Sequence, residues 1–342
     1  MVTIIGGGIA GTVLAGALAC HERTARVFER RTPGGDGSFL VLDRHAHDVL
    51  AELEVPSAAL MAASYPVSGF RFHYLAPGRG ELNSRGHRLY RRPELMRALT
   101  EFARGAGADL HFDTPVTDID PTSGTVRSGN HVVAIDDLVI AADGVDSVGR
   151  TRLEPERTPE YAGQVIFYGT TITPVRLSTE PSVLHFDGRL GAGILPTSSF
   201  GHLWNDEAAF WFARLTRPPI PQRETGFHPV SVWAEHIRAA APDTDIIDQL
   251  LDHTETLHVS NARTVPFDTA KPPQPPLILC GDADHAITPA AGRGACEAID
   301  DADALHRALL TGSDPAAAMV VRRRRIAAER EEAQRLYARA RS

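Results

Sequence analysis

A chain of 342 residues, 43% hydrophobic and 23% charged with a mean hydropathy of -0.16, has a globular composition and room for roughly two domains of ~150 residues. No run of about 18 apolar residues occurs and MVTIIGGG lacks a basic leader region, so neither a membrane span nor a secretory signal is expected, and a cytoplasmic protein is. A net charge of -8 argues against a nucleic-acid partner; the single lysine, Lys271 in KPPQPP, argues against P-loop ATPase, Schiff-base and lysine-dependent halogenase chemistry. Cys20, Cys280 and Cys296 have no paired spacing, so no disulfide framework or metal site is expected.

In chain order, VTII reads as a buried strand, GGG as a turn, and Ile9 to Cys20 as a helix with Ile9, Val13 and Ala17 on one face. A second strand, Ala25 to Phe28, ends in Glu29, which completes a βαβ opening. GGDGSFLVLDRHAHDVLAEL predicts a glycine turn, an apolar segment and a helix; YRRPELMRALTEFARGAG predicts a glycine-terminated helix. Strand candidates follow around His111 to Asp120 and Val132 to Ile135, then the apolar LVIAADG. From about Gly163 to Leu215 the pattern is strand-rich, which predicts an inserted antiparallel sheet. A polar helical region, the strand PLILC, a turn and a long helix come next. The last segment, from about Pro315, reads as a helix whose arginines at 322 to 325 form a solvated face paired with Glu329, Glu331 and Glu332.

Gly6, Gly8 and Gly11 form G-x-G-x-x-G directly between a strand and a helix, the arrangement that places a pyrophosphate on free helix N-terminal amides. Gly6 suits the tight turn, Gly8 the approach of a phosphate, and Gly11 close packing of helix on strand. Glu29 lies 18 residues beyond Gly11, near the ~20 at which a carboxylate receives ribose hydroxyls. Three further segments bear on the dinucleotide: Asp143-Gly144-x-x-Ser147-x-x-Arg150, Gly281-Asp282 leading to His285, Pro289 and Gly292-Arg293-Gly294, and Arg92 in RRPEL.

With GGGIAG then FER, RRPELMRAL, AADGVDSVGR and GDADHAITPAAGRGACEAIDDADAL in this order, the chain resembles the single-component FAD-dependent aromatic hydroxylases with the para-hydroxybenzoate hydroxylase fold. GSFLVLDRHAHDVL is similar to a stretch of the tetracycline-inactivating and polyketide-modifying members. The resemblance implies an α/β protein: a Rossmann-like FAD-binding domain of glutathione-reductase type, with an inserted antiparallel-sheet substrate domain and C-terminal helices. The boundaries read as 1–160 with 265–342 for the FAD domain and 161–264 for the substrate domain, with 60–90 open to joining the latter. Carried over by motif, Gly6, Gly8 and Gly11 hold the FAD pyrophosphate, Glu29 the adenosine ribose, Arg30 the adenine side, and Arg92 the phosphates and ribose. Asp282 binds the ribityl and pyrophosphate portion, Pro289 lines the cavity beside the isoalloxazine, and Gly292 to Gly294 offer amides to the flavin pyrimidine edge. Asp143 belongs to a motif linked to FAD and pyridine nucleotide. The chain departs from the family pattern at Asp284, where GDADH replaces GDAAH and sets a second carboxylate next to the flavin strand, and at Arg293, where GRG replaces GQG and the resemblance would set the arginine near the flavin or its phosphates.

The same resemblance implies that NADPH or NADH binds transiently and reduces FAD, and that O2 gives a flavin C4a-hydroperoxide that hydroxylates an aromatic or polyketide-like small molecule. A dehydrogenase or reductase on the same fold, and a non-catalytic FAD-binding protein, stay open as alternatives, as do monomer and homodimer. The absence of W-x-W-x-I-P disfavours a flavin halogenase. Candidate cavity residues are Phe167, Tyr168, His185, Phe186, Trp211 and Phe212, of which strand alternation turns about half inward. His185, Trp211 and Tyr168 are put forward for substrate contact. His45, His47 and His185 are candidate bases, and no catalytic side chain is singled out.

Overall fold

The computed structural model describes residues 1–33, 37–73, 80–189, 198–240, 245–289 and 292–339. The glycine turn expected at 34–36 and the GRLGAG segment from 190 onward lie outside the described residues. The chain opens with β1 (Val2–Ile5), α1 (Ile9–Cys20) and β2 (Ala25–Phe28). β3 (Phe39–Leu42), α2 (Arg44–Glu52) and α3 (Ser57–Ala62) lead to β4 (Ser64–Pro66), β5 (Gly69–Phe72), β6 (Glu81–Asn83) and β7 (Arg88–Arg91). After α4 (Arg92–Gly105) come β8 (Asp109–His111), β9 (Asp118–Asp120), β10 (Thr125–Ser128), β11 (His131–Ile135), β12 (Val139–Ala141) and α5 (Val148–Leu153). β13 (Glu160–Thr170), β14 (Val183–Arg189), β15 (Ser198–Trp204), β16 (Ala209–Thr216) and β17 (Gly226–Pro229) precede α6 (Ala234–Ala240) and α7 (Asp245–Asp252). β18 (Thr256–Thr264), β19 (Leu277–Leu279), α8 (Asp282–His285), α9 (Gly294–Thr311) and α10 (Pro315–Arg339) complete it.

A parallel sheet of order β19-β12-β1-β2-β8 forms the first layer. Its strands are short and apolar because both faces are covered, α1 packing with α4 and α9 in one core around Val13, Leu14, Leu99 and Ile299. The chain moves outward from β1 to β2 and β8, then returns to place β12 on the other side of β1. The strand order therefore reverses at β1, where open α/β sheets bind ligands beyond the carboxyl ends of the strands.

The second layer is an eight-stranded sheet of order β17-β18-β13-β16-β15-β14-β5-β6, to which residues 69–83 contribute two strands. Its two faces bury different partners. Phe167, Phe200, Trp211, Leu257 and Val259 pack under α6 and α7 through Trp233, Ile237, Ile247 and Leu250. On the opposite face, Leu184, Phe210 and Phe212 pack against Val67, Leu89 and Phe39 of a small sheet of order β3-β7-β4. The strand expected from His111 to Asp120 is two strands, β8 and β9, which pair in different sheets because the turn between them carries the chain from one layer to another. Among the described residues no helix is long and apolar enough to cross a membrane.

Trp211 is fully buried, stacks on Phe200 at 6.0 Å and donates from its indole to Thr254 at 3.0 Å. Trp211→Ala is expected to lower stability by about 3–5 kcal/mol, the range for removing a buried aromatic. Denaturant unfolding followed by fluorescence of the remaining tryptophans checks this.

Candidate active site

Four adjacent parallel strands deliver the sequence motifs to one edge of the first layer: Gly6 follows β1 directly, Glu29 follows β2 directly, and Asp143 and Asp282 lie just beyond the ends of β12 and β19. Gly6 has φ +100°, and a Cβ there would lie 2.4 Å from the Ala142 carbonyl oxygen. A Cβ at Gly11 would lie 2.0 Å from the Gly6 oxygen, so α1 reaches β1 this closely only with glycine. Gly8 is different, since an added Cβ there would meet nothing within 4 Å. Gly8 is also the N-cap of α1, and no side chain caps that helix. The first amides of α1 are therefore met by no capping side chain, and the turn leaves open space beside Gly8, a combination suited to a phosphate.

Glu29 accepts from the Gly7 amide at 2.6 Å and from the Arg31 amide at 2.8 Å, which fixes its carboxylate beside the glycine turn. Arg30 is exposed. Arg92 opens α4, its amide donating to the Ser38 carbonyl at 2.9 Å. Burial lowers the Arg92 guanidinium from its ordinary value, Asp282 and Glu29 raise it, and Arg31 lowers it further. Arg92, Asp282 and Glu29, from three separated motifs, are thus within electrostatic reach of one another. Asp282 is reached by solvent yet walled by protein: that surrounding mass raises its carboxyl, offset by His285 and Arg92. This is the condition of a group at the floor of a crevice.

Asp143 caps α5, its Oδ2 accepting from Val148 at 2.7 Å and Gly149 at 3.3 Å. Burial raises its carboxyl, against hydrogen bonds from Ser147 and Val148, and its Oδ1 is buried with no hydrogen-bond partner among the described residues. Across the crevice, α9 begins at Gly294, where a Cβ would lie 3.6 Å from Asp282 Oδ1, and no side chain caps this helix either. The residues present therefore fit a dinucleotide such as FAD: two uncapped helix N-termini, open space at Gly8 and at Gly292, and two carboxylates with an arginine between them. Arg92, Asp282 and the amides of α1 would hold it, and Glu29 would receive its ribose hydroxyls.

Two sequence expectations at α9 change. The Gly292 amide donates to the Pro289 carbonyl at 3.0 Å and is spent inside its own turn. The Arg293 guanidinium points away, bonded to Glu329 of α10 and 3.6 Å from Glu297, because two carboxylates on that side outcompete solvent for it. Pro289 is exposed at the crevice rim.

The substrate candidates divide by strand face. Tyr168, Phe186 and Phe212 lie on the face toward the small sheet; Phe167, His185 and Trp211 point the other way. Trp211 and His185 are corrections: Trp211 is core under α6 and α7, and His185, 3% exposed, stacks between His73 and His202 and bonds His73 at 3.0 Å. Tyr168 stands edge-on to Phe39 at 5.4 Å, one residue from the Ser38 carbonyl that accepts from the Arg92 amide; burial pushes its phenol up to about 12. Of the candidate bases, His45 bonds Asp300 at 3.0 Å and His47 bonds the Tyr90 hydroxyl at 2.8 Å, both away from the aromatic wall.

A charged cluster behind the crevice was not expected from sequence. Arg150, 1% exposed, donates to the carbonyls of Arg157 and Ala283, each at 2.9 Å, and of Val145. His285 donates to Asp301 at 2.7 Å and lies 3.5 Å from Glu297. Burial alone would lower the His285 imidazole; Asp301 and Glu297 reverse this and push it up to about 10. Burial would raise Glu297, but His285 and Arg330 pull it down to about 2. The arginines at 322 and 323 are not a solvated face. Arg322 bonds Asp301 at 3.0 Å and Arg323 bonds Asp284 at 2.6 Å, whereas Arg325 pairs with Glu329 at 2.8 Å as expected.

Gly8→Val is expected to leave folding intact, since its space is open and its φ of -76° suits any residue, but to yield flavin-free protein. Asp282→Ala is expected to do the same; absorbance near the flavin bands with circular dichroism checks both. The His285 pair sets a pH dependence. Its folded value lies above the ordinary 6.5, so its stabilisation is complete below pH 6.5 and is lost as pH rises toward about 10. The Glu297 contribution is complete above pH 4.5 and is lost as pH falls toward about 2. His285→Gln should flatten the alkaline limb of a plot of melting temperature against pH.

A family model described as FAD binding domain matches residues 1–317. Kynurenine 3-monooxygenase of Salinispora arenicola (strain CNS-205) is 27% identical over 369 aligned residues, covering 93% of this chain and 74% of that protein. FAD-dependent monooxygenase okaB of Penicillium ochrochloron is 25% identical over 360, covering 89% and 73%. The crystal structure of CtdE in complex with FAD superposes with a TM-score of 0.74 at 20% identity, over 98% of this chain and 92% of that one. With a match that spans the glycine turn, Arg92, Asp143 and Asp282 alike, the chain belongs to the FAD binding domain family.

Proposed function

We propose that this protein is an FAD-dependent monooxygenase that draws electrons from NADH or NADPH and uses O2 to hydroxylate an aromatic or polyketide-like small molecule. The observation that carries the reading is the short link between crevice and aromatic wall. The Arg92 amide donates to the Ser38 carbonyl, the next residue, Phe39, stands edge-on to Tyr168 at 5.4 Å, and Tyr168 lies on the sheet face that presents Phe186 and Phe212. Phe72 stacks on Phe186 at 4.6 Å with 9° between the rings, and both are only partly buried, so the wall offers flat apolar surface to a planar ligand.

Bound FAD would supply the redox chemistry and oxygen activation, as cofactors do. The chain's part is orientation and exclusion of water. Phe70, Phe72, Phe186 and Phe212 form an apolar surface that keeps the reacting region dry. Tyr168, held protonated at neutral pH, is a hydrogen-bond donor beside it. Arg214, whose guanidinium lies 5.0 Å over the Phe212 ring, puts positive charge on the same face, favourable to a phenolate or carboxylate.

NAD(P)H oxidation screened against phenols and polyketides, with 18O2 and hydrogen peroxide measured, tests the proposal. Label in the product supports it. Turnover without label points to a dehydrogenase or reductase, and slow reduction indifferent to every compound points to a non-catalytic flavin protein. Phe186→Ala is expected to keep its flavin and raise KM about 10-fold or more, the scale of one lost aromatic contact.

A further inference from the structure

Asp284 is fully buried, two residues beyond Asp282 in α8. Residues two apart on a helix are turned by about 200°, so Asp282 faces the crevice and Asp284 faces the rear. There two arginines bracket its carboxylate. Arg157 Nη2 donates to Oδ1 at 3.0 Å; Arg323 donates from Nη2 to Oδ1 at 2.6 Å and from Nε to Oδ2 at 2.7 Å, a bidentate fork. Arg157 also pairs with buried Glu154, and its Nη1 bonds the Asp284 carbonyl.

Arg323 belongs to α10, and the same helix grips the neighbouring segment twice more. Arg322 bonds Asp301, which in turn accepts from the Gly281 amide at 2.9 Å and from His285. Arg330 donates to the His285 carbonyl at 2.7 Å and to Glu297 at 2.8 Å. Both the turn that carries Asp282 and the start of α9 are therefore tied from behind to one helix. Ion pairs so deeply buried add little net stability over apolar packing, and their best-attested use is to select one arrangement. The arrangement selected here sets the Asp282 carboxylate beside the N-terminus of α9.

We propose that the Asp284–Arg323 pair is a positioning device for the cofactor, by which α10 holds Asp282 and the N-terminus of α9 in register with a single FAD site. The pair touches no cofactor itself and acts through the four-residue helix α8. This inference rests on the FAD reading.

The test uses the full chain, freed of flavin and titrated with FAD. Four proteins are compared: wild type, Arg323→Met, Arg323→Lys and, as a control on an exposed pair of the same helix, Arg335→Met. Arg323→Met should keep wild-type circular dichroism and cooperative melting without flavin, while its FAD dissociation constant rises about 10-fold or more, the loss expected from one misaligned hydrogen bond to a charged group. Arg323→Lys, which keeps the charge but not the fork, should fall between, and Arg335→Met should match wild type. Should Arg323→Met fail to fold, Asp284→Asn, of the same shape, carries the same comparison. The inference is overturned if the variant binds FAD as tightly as wild type, or if melting temperatures with and without FAD drop by the same amount. Wild type that binds no FAD would instead overturn the cofactor reading beneath it.

Discussion

The buried guanidinium of Arg150 is the contact on which the crevice depends. An arginine cannot shed its proton to escape a low-dielectric interior, so its charge must be met by oxygen atoms. The carbonyls that meet it belong to Val145, beyond the end of β12, to Ala283 within α8, and to Arg157, on the way to the second layer. One side chain thereby joins the segments that carry Asp143 and Asp282 to the stretch leading into β13. Losing it would leave those carbonyls unsatisfied at a cost of about 1–3 kcal/mol each.

The second layer shows how the period of a strand decides which residues face the small sheet and which face the helices. Tyr168 and Phe167 are neighbours in β13, as are Phe212 and Trp211 in β16, yet one of each pair lies under α6 and α7 and the other looks toward the small sheet. Composition cannot distinguish them, since all four are aromatic and both faces are apolar. The deciding fact is which face the helices cover, and that is set by Trp233, Ile237, Ile247 and Leu250, which lie far along the chain. His185 follows the same rule through its pairing with His202 on β15.

What was legible in the sequence was local. The glycine turn, Glu29 at the end of β2, and the helix starts at Arg92 and Gly294 each follow from residues a few positions apart. The pair Arg325–Glu329 was likewise legible, because residues four apart on a helix are neighbours whatever the fold. Arg322 and Arg323 sit in the same basic run as Arg325 and look identical to it in sequence, and Arg330 follows just beyond that run. Their partners, Asp301, Asp284 and Glu297, are more than 20 positions away, and only the docking of α10 on α8 and α9 shows which charges are spent inside the protein.

The glycines of the first turn separate two kinds of constraint. Gly6 and Gly11 are required by the protein itself, since a side chain at either would collide with backbone that cannot move. Gly8 meets neither condition: its φ of -76° is ordinary, and the space where a side chain would go is vacant. No collision and no strained dihedral among the described residues calls for glycine there, and a glycine N-cap brings no side-chain oxygen to the first amides of the helix. What Gly8 leaves is room for close backbone approach beside helix amides that no side chain caps, which are the two conditions a phosphate needs at a helix N-terminus.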